Sequence, residues 1–259
     1  MKTLMTAGKG GTGKTTILYH LLHNYILPAS TRTRTLVVDA DPHQSLTYLM
    51  RVKDARTLGE LRHEQDAALR TGAGLDETTS RREFAQQLAH RALYALGPFA
   101  DLLVMGRNDQ PGCQCVVNGL LGDALDALAE QYDLVIVDNE AGIEHIGRHG
   151  WAVDVALLTT GLHAMELDVA QRIIQHAAET RRLVRHWGII ATPTLNAGWR
   201  EKLGPLASAP QTVVLGALPF FDGWPSYEWF EALGVIWESI VPLLEDYVPA
   251  MVSRSQPAD

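Results

Sequence analysis

The chain has 259 residues, 46% of them hydrophobic, enough to bury one large core. Its formal net charge of −8, from 22 basic and 30 acidic side chains, works against wrapping nucleic acid or lying on an anionic membrane. Only 2 cysteines are present, so a disulfide-stapled scaffold is excluded, and an apolar run of about 18 residues that would span a bilayer is missing.

The opening, MKTLMTAGKGG, breaks into a glycine-rich loop where a secretory apolar stretch would continue. No signal peptide is expected, and the reducing cytoplasm is the expected location. Apolar runs at 3–7 (TLMTA), 35–40 (TLVVDA), 101–105 (DLLVM) and 133–138 (DLVIVD) predict strands. So do 154–160 (DVALLTT), 188–192 (GIIAT) and 212–218 (TVVLGAL). They lack alternation, as strands buried on both faces of a parallel sheet do. Helical stretches are expected between them, at 14–26, 116–131, 164–185 and 227–248, with a further amphipathic helix over 80–96 and a loop over 70–80. The expected fold is therefore one α/β domain over 1–259, a doubly wound, mostly parallel sheet with ligands at the carboxyl ends of its strands. Residues 51–100 are expected to be an insertion after the second strand.

Gly8-Lys9-Gly10-Gly11-Thr12-Gly13-Lys14-Thr15 fits the phosphate-loop pattern, followed by Thr16, between a predicted strand and a predicted helix. Glycines let backbone N–H groups converge on phosphate oxygens, and the helix start adds positive dipole. Lys14 is the candidate for the β- and γ-phosphates and Thr15 for the Mg²⁺ shell. The second lysine, Lys9, makes KGGTGKTT resemble the deviant Walker A motif of the MinD/ParA/nitrogenase-iron-protein class of P-loop ATPases. That resemblance implies ATP and Mg²⁺ as ligands. It also implies that Lys9 crosses a homodimer interface to the partner's nucleotide.

Asp39 and Asp41, in LVVDADPHQSL, follow a buried strand. The class resemblance makes Asp41 the candidate to orient the attacking water and places Asp39 near Mg²⁺. Asp138 ends the apolar strand of YDLVIVDNEAG, the position that holds Mg²⁺ through water in P-loop enzymes. A lone aspartate after a strand is usually a turn former. Three of them beside a phosphate loop favour the chemical role.

Both cysteines, Cys113 and Cys115, stand two apart in GCQC. So close a pair makes a relaxed disulfide unfavourable. Thiolates favour Zn, Ni, Cu(I) or iron–sulfur clusters, but one pair supplies two ligands where a closed site wants four. A two-fold axis would bring a second pair from a partner chain. Taken alone, the spacing fits two incidental small residues equally well. The flanking segments, LLVMGRNDQPGCQCVVNGLL (102–121) and VDNEAGIEHIGRHG (137–150), resemble the nickel-insertion accessory ATPases of carbon monoxide dehydrogenase, the CooC type. The resemblance is sharp in these motifs and loose over 51–100 and beyond 200. It implies that Cys113 and Cys115 bind nickel at a dimer interface and that carbon monoxide dehydrogenase is the client. Coordination chemistry alone accepts Zn²⁺ as readily as Ni²⁺. Glu140 reads as a switch residue, His145 as a donor behind the metal or an ordinary surface imidazole, and Glu144 and His149 are given no ligand role.

Near the end of the chain, Asn196 and Leu218-Pro219 sit where the class reads adenine. The aromatics of PFFDGWPSYEWFEALGVIW (219–237) are expected to pack in the core. The rival reading is a ParA/MinD-type spatial organiser binding DNA or membrane. Against it, residues 227–259 hold six acidic side chains and one basic one, Arg254, which an anionic membrane repels. Neither nucleic acid nor membrane is expected as a partner. Two further rivals are an electron-transfer ATPase like the nitrogenase iron protein, whose [4Fe–4S] cysteines are widely separated whereas these stand two apart, and a P-loop protein whose cysteines are idle.

Overall fold

The computed structural model describes residues 1–71, 80–107, 115–140, 152–179, 184–194, 198–221, 223 and 225–247. Among them are eight strands alternating with helices, paired in parallel except for one edge strand. This is the mostly parallel α/β class expected from the unbroken apolar runs. The chain divides into two compact units, Lys2–Ser30 with Ala141–Asp259, and Thr31–Glu140 with Met1.

The first unit begins with β1 (Lys2–Gly8), the phosphate loop and α1 (Lys14–Leu21). A π-helical turn (Leu22–Ile26) carries α1 into a short α2 (Leu27–Ala29). Pro28 lacks an N–H and would crowd the carbonyl four residues back, so the wider turn relieves the helix there. The unit continues with β6 (Val153–Thr160), α7 (Ala164–Glu179), β7 (Val184–Thr194), α8 (Trp199–Ala207), β8 (Thr212–Pro219) and α9 (Tyr227–Ile240). Its strands lie in the order β1-β6-β7-β8, all parallel. Every residue of β6 is buried, which explains its unbroken apolar spelling.

Asp154 fastens the amino ends of three strands. Its carboxylate accepts from the Thr3 N–H at 2.9 Å and faces Arg185 at 3.2 Å and Lys2 at 3.7 Å. Later in the same unit, α9 turns Trp229, Leu233, Ile236, Trp237 and Ile240 inward, at helical spacing. The Trp229 ring meets His20 edge-on at 5.1 Å, and Trp237 stacks with Tyr25 at 5.6 Å. Burying such side chains contributes about 2 kcal/mol each, more than an exposed ion pair, so this face fixes α9. The expectation of core packing holds for Trp229 and Trp237, whereas Phe220 and Tyr227 are exposed.

The second unit holds β2 (Thr35–Asp39), α3 (Ser45–Leu49), α4 (Leu58–Arg70), α5 (Arg81–Ala92), β3 (Tyr94–Gly97), β4 (Ala100–Val104), α6 (Cys115–Leu128) and β5 (Leu134–Asp138). Its order is β3-β4-β2-β5, with β3 antiparallel to β4. In the parallel register of β2 and β5, Asp39 lies opposite Asp138.

Three sequence expectations need correction. The helix expected over 80–96 stops at Ala92, because Tyr94 and Ala95 pair with Leu102 and Asp101 and so form β3. The helix expected over 164–185 ends at Glu179, because Val184 already pairs with Val153 in β7. α4 and α8 fall where no helix was expected. Pro205 inside α8 hid it, while α4 announces itself by a capping box, Thr57 with Glu60, that the sequence spells.

Candidate nucleotide site

β1 delivers the chain to Gly8, which pairs in register with Thr159 of β6. Gly8 has φ +136°, and a Cβ there would lie 2.3 Å from the Thr159 carbonyl oxygen. Only glycine permits that approach. Gly11 and Gly13 both take φ +81°, and a Cβ on Gly11 would project into open space. Gly13 caps the start of α1 through its backbone, and no side chain caps the helix. The first N–H groups of α1 thus open onto the loop, as a phosphate site requires.

Thr12 and Thr159 brace this loop. The Thr12 hydroxyl donates to the Lys9 carbonyl at 2.8 Å and lies 2.7 Å from the Thr159 hydroxyl. One proton per hydroxyl then makes Thr159 the donor in that pair, and its 3.3 Å approach to the Ala7 carbonyl is the weaker contact. Lys14 is buried, and its ammonium donates to the carbonyls of Gly8 and Lys9, both at 3.1 Å. Lys9 itself is half-buried, as are Thr15 and Thr16, while Gly10 is exposed. A buried ammonium inside a glycine loop at an uncapped helix start suits a chain of phosphates.

The acidic residues lie in the other unit. Asp39 is fully buried at the end of β2. Its carboxylate accepts from the Thr47 N–H at 2.8 Å, the Thr47 hydroxyl at 2.6 Å and the Asp41 N–H at 3.2 Å. Burial pushes its carboxyl above the usual range, and the Thr47 hydrogen bonds oppose that push. Asp41 accepts from the His43 N–H at 2.9 Å and the Ser45 hydroxyl at 2.6 Å. Asp138 is buried, its carbonyl accepting from the Ala40 N–H at 3.0 Å, with Asn139 buried and Glu140 half-buried beside it. Two buried carboxylates side by side across β2 and β5 are an oxygen donor set that suits a hard cation. Asp39 already accepts three hydrogen bonds, which favours contact through water.

Cys115 is the first residue of α6. Cys113 lies outside the described residues, as do Glu144, His145, His149 and Asn196. Among the described residues no group of three or more His, Cys, Asp or Glu side chains is gathered for a metal, and no helix is long and apolar enough to cross a membrane. Sequence reasoning missed Thr159, Thr47 and Ser45. Ser45 stands in the LVVDADPHQSL run already singled out for its aspartates and Thr47 directly follows that run, whereas the Thr12–Thr159 contact joins positions 147 apart.

Residues 3–198 match the model of the CobQ/CobB/MinD/ParA nucleotide binding domain. The chain belongs to this family. Within reach of this MinD/ParA-type chain by sequence is an uncharacterized ATP-binding protein of Methanocaldococcus jannaschii, 32% identical over 221 residues, 84% of each chain. The carbon monoxide dehydrogenase accessory protein CooC of Rhodospirillum rubrum is 29% identical over 248 residues, 85% of this chain and 84% of that one. By fold, the septum site-determining protein MinD of Pyrococcus horikoshii OT3, complexed with Mg-ADP, superposes with a TM-score of 0.60 at 16% identity, covering 96% of this chain and 99% of that one.

Proposed function

We propose that this MinD/ParA-type protein is an ATPase that dimerises around nucleotide and carries nickel to carbon monoxide dehydrogenase. The observation that carries the proposal is the coincidence, in one chain, of the braced phosphate loop and the Cys113–Cys115 pair, together with the similarity to CooC along 85% of the sequence.

Lys14 leaves the Gly8 and Lys9 carbonyls to meet the β- and γ-phosphate oxygens. Thr15 offers its hydroxyl, and Asp39 and Asp138 their carboxylates, to Mg²⁺. Bound there, the ion neutralises charge on the phosphates. Asp41, its two oxygens fixed by His43 N–H and Ser45, orients water on the γ-phosphate. Lys9 reaches the nucleotide of a second copy. Asn196 contacts adenine.

Nickel is cargo in this scheme. Two Cys113–Cys115 pairs meet across the dimer axis and supply four sulfurs; Zn²⁺ competes for them. Cys115 at a helix start stands where negative charge is favoured. Nickel and ATP each select the dimer, so each strengthens binding of the other. Thiol protons leave as the ion binds, so affinity falls in acid.

Sedimentation with a non-hydrolysable ATP analogue tests this reading. A dimer is expected with analogue, stabilised further by Ni²⁺, and a monomer is expected for Lys9→Ala. A monomer under every condition contradicts the proposal. Binding to anionic vesicles or duplex DNA at low salt would instead support the role of a spatial organiser.

A further inference from the structure

β4 leaves its sheet through Met105, Gly106 and Arg107 on the way to the cysteines, and this exit is held tightly. The Met105 N–H donates to the Asp39 carbonyl at 2.9 Å, and the Met105 carbonyl accepts from the Gly59 N–H at 3.0 Å. Gly106 takes φ +72°, and a Cβ there would sit 2.5 Å from the Thr57 side chain. A Cβ on Gly59 would lie 2.0 Å from the Arg107 carbonyl oxygen. Two glycines therefore let the capped start of α4 lie directly on the strand end, so the Arg107 backbone leaves from a fixed place.

From that place the Arg107 guanidinium reaches Nδ1 of His43, 2.7 Å away. A guanidinium can only donate, so Nδ1 accepts and the His43 proton sits on Nε2. The His43 N–H in turn donates to Asp41 at 2.9 Å. The loop it steadies is not relaxed: Gln44, between His43 and Ser45, holds φ +56°, which is left-handed for a residue that is not glycine. A loop in that conformation needs ties from outside, and Arg107 is one.

We propose that Arg107 is a positioning residue for Asp41, acting through His43, and that it links the water-orienting loop to the chain that leads from β4 to Cys113. The catalytic part of this inference rests on the role given to Asp41 above; the mechanical link does not. It ties the Asp41 loop to the fixed end of β4: losing the Arg107 contact frees His43, and with it the Asp41 carboxylate.

The test uses the full chain with Arg107→Ala, Arg107→Lys, His43→Phe and His43→Asn. Asparagine keeps an acceptor near the place of Nδ1, and lysine keeps a donor. Amide exchange of the nucleotide-free protein, read on peptides spanning 41–46, is expected to quicken about fivefold in Arg107→Ala and His43→Phe, and to recover in the two conservative variants. Steady-state ATP hydrolysis is expected to show kcat lower by about fivefold in the same two variants with KM for ATP unchanged, again with recovery. Unchanged exchange in Arg107→Ala overturns the link. Faster exchange with unchanged kcat, or equal loss in all four variants, overturns the positioning role. If the unaltered protein hydrolyses no ATP, the reading of Asp41 fails, and the exchange measurement still decides the link.

Discussion

Gly8 shows how much one atom matters at this site. Its φ of +136° and the 2.3 Å separation between a Cβ and the Thr159 carbonyl leave no room for alanine. Gly8→Ala is expected to cost about 2 kcal/mol of stability and to abolish the rise in melting temperature caused by Mg·ATP, both read in one thermal-shift titration. The hydroxyl pair beneath the loop is subtler. Thr159→Val keeps the shape but removes the donor to Thr12. A stability loss of about 1 kcal/mol is expected, with weaker ATP affinity measured by calorimetry and no such effect for the exposed Thr71→Val. Residue types in the phosphate loop and at the ends of β2 and β5 were legible, because chemistry demands glycine, lysine and carboxylates there. Their partners were not. Thr159 lies 147 positions from Thr12, and His43 lies 64 from Arg107, so only the folded backbone brings them together.

Elements were legible where burial alone decides them and obscure where pairing does. β2, β5 and β6 are wholly buried, and their apolar runs named them. β3 exists because β4 offers it hydrogen bonds, so the preceding sequence reads as helix until the strand beside it is known. The capping boxes at Thr57 and Ser80 were readable signals that mark where α4 and α5 start. Packing of α9 on α1 brings a pH dependence. His20 lies among the rings of Tyr19, Trp229 and Phe230, and burial, followed by the nearby His23, lowers its pKa. Below the ordinary histidine value of 6.5 the unfolded chain takes up this proton more readily than the folded one. Stability therefore falls as pH drops through 6.5 toward the lowered value, and is fully present above 6.5. Urea midpoints at pH 7.5 and pH 5.5 are expected to differ less in His20→Phe than in the unaltered protein. An undiminished difference would assign the acid sensitivity elsewhere.

At the scale of the whole molecule, a net charge of −8 and an acidic carboxyl-terminal stretch argue against nucleic acid and anionic lipid as partners. The family fixes a nucleotide-binding role, and the cysteine pair separates this chain's proposed task from that of a spatial organiser. In the proposed scheme the cysteine pair is half of a four-sulfur site that a second copy completes, so nickel, ATP and assembly are expected to rise and fall together. The direct measurement is nickel content and mass of the protein with ATP analogue, at equal Ni²⁺ and Zn²⁺, for the unaltered chain and for Cys113→Ala with Cys115→Ala. About one nickel per two chains is expected in the unaltered dimer and none in the variant dimer. Equal nickel in both would contradict the account.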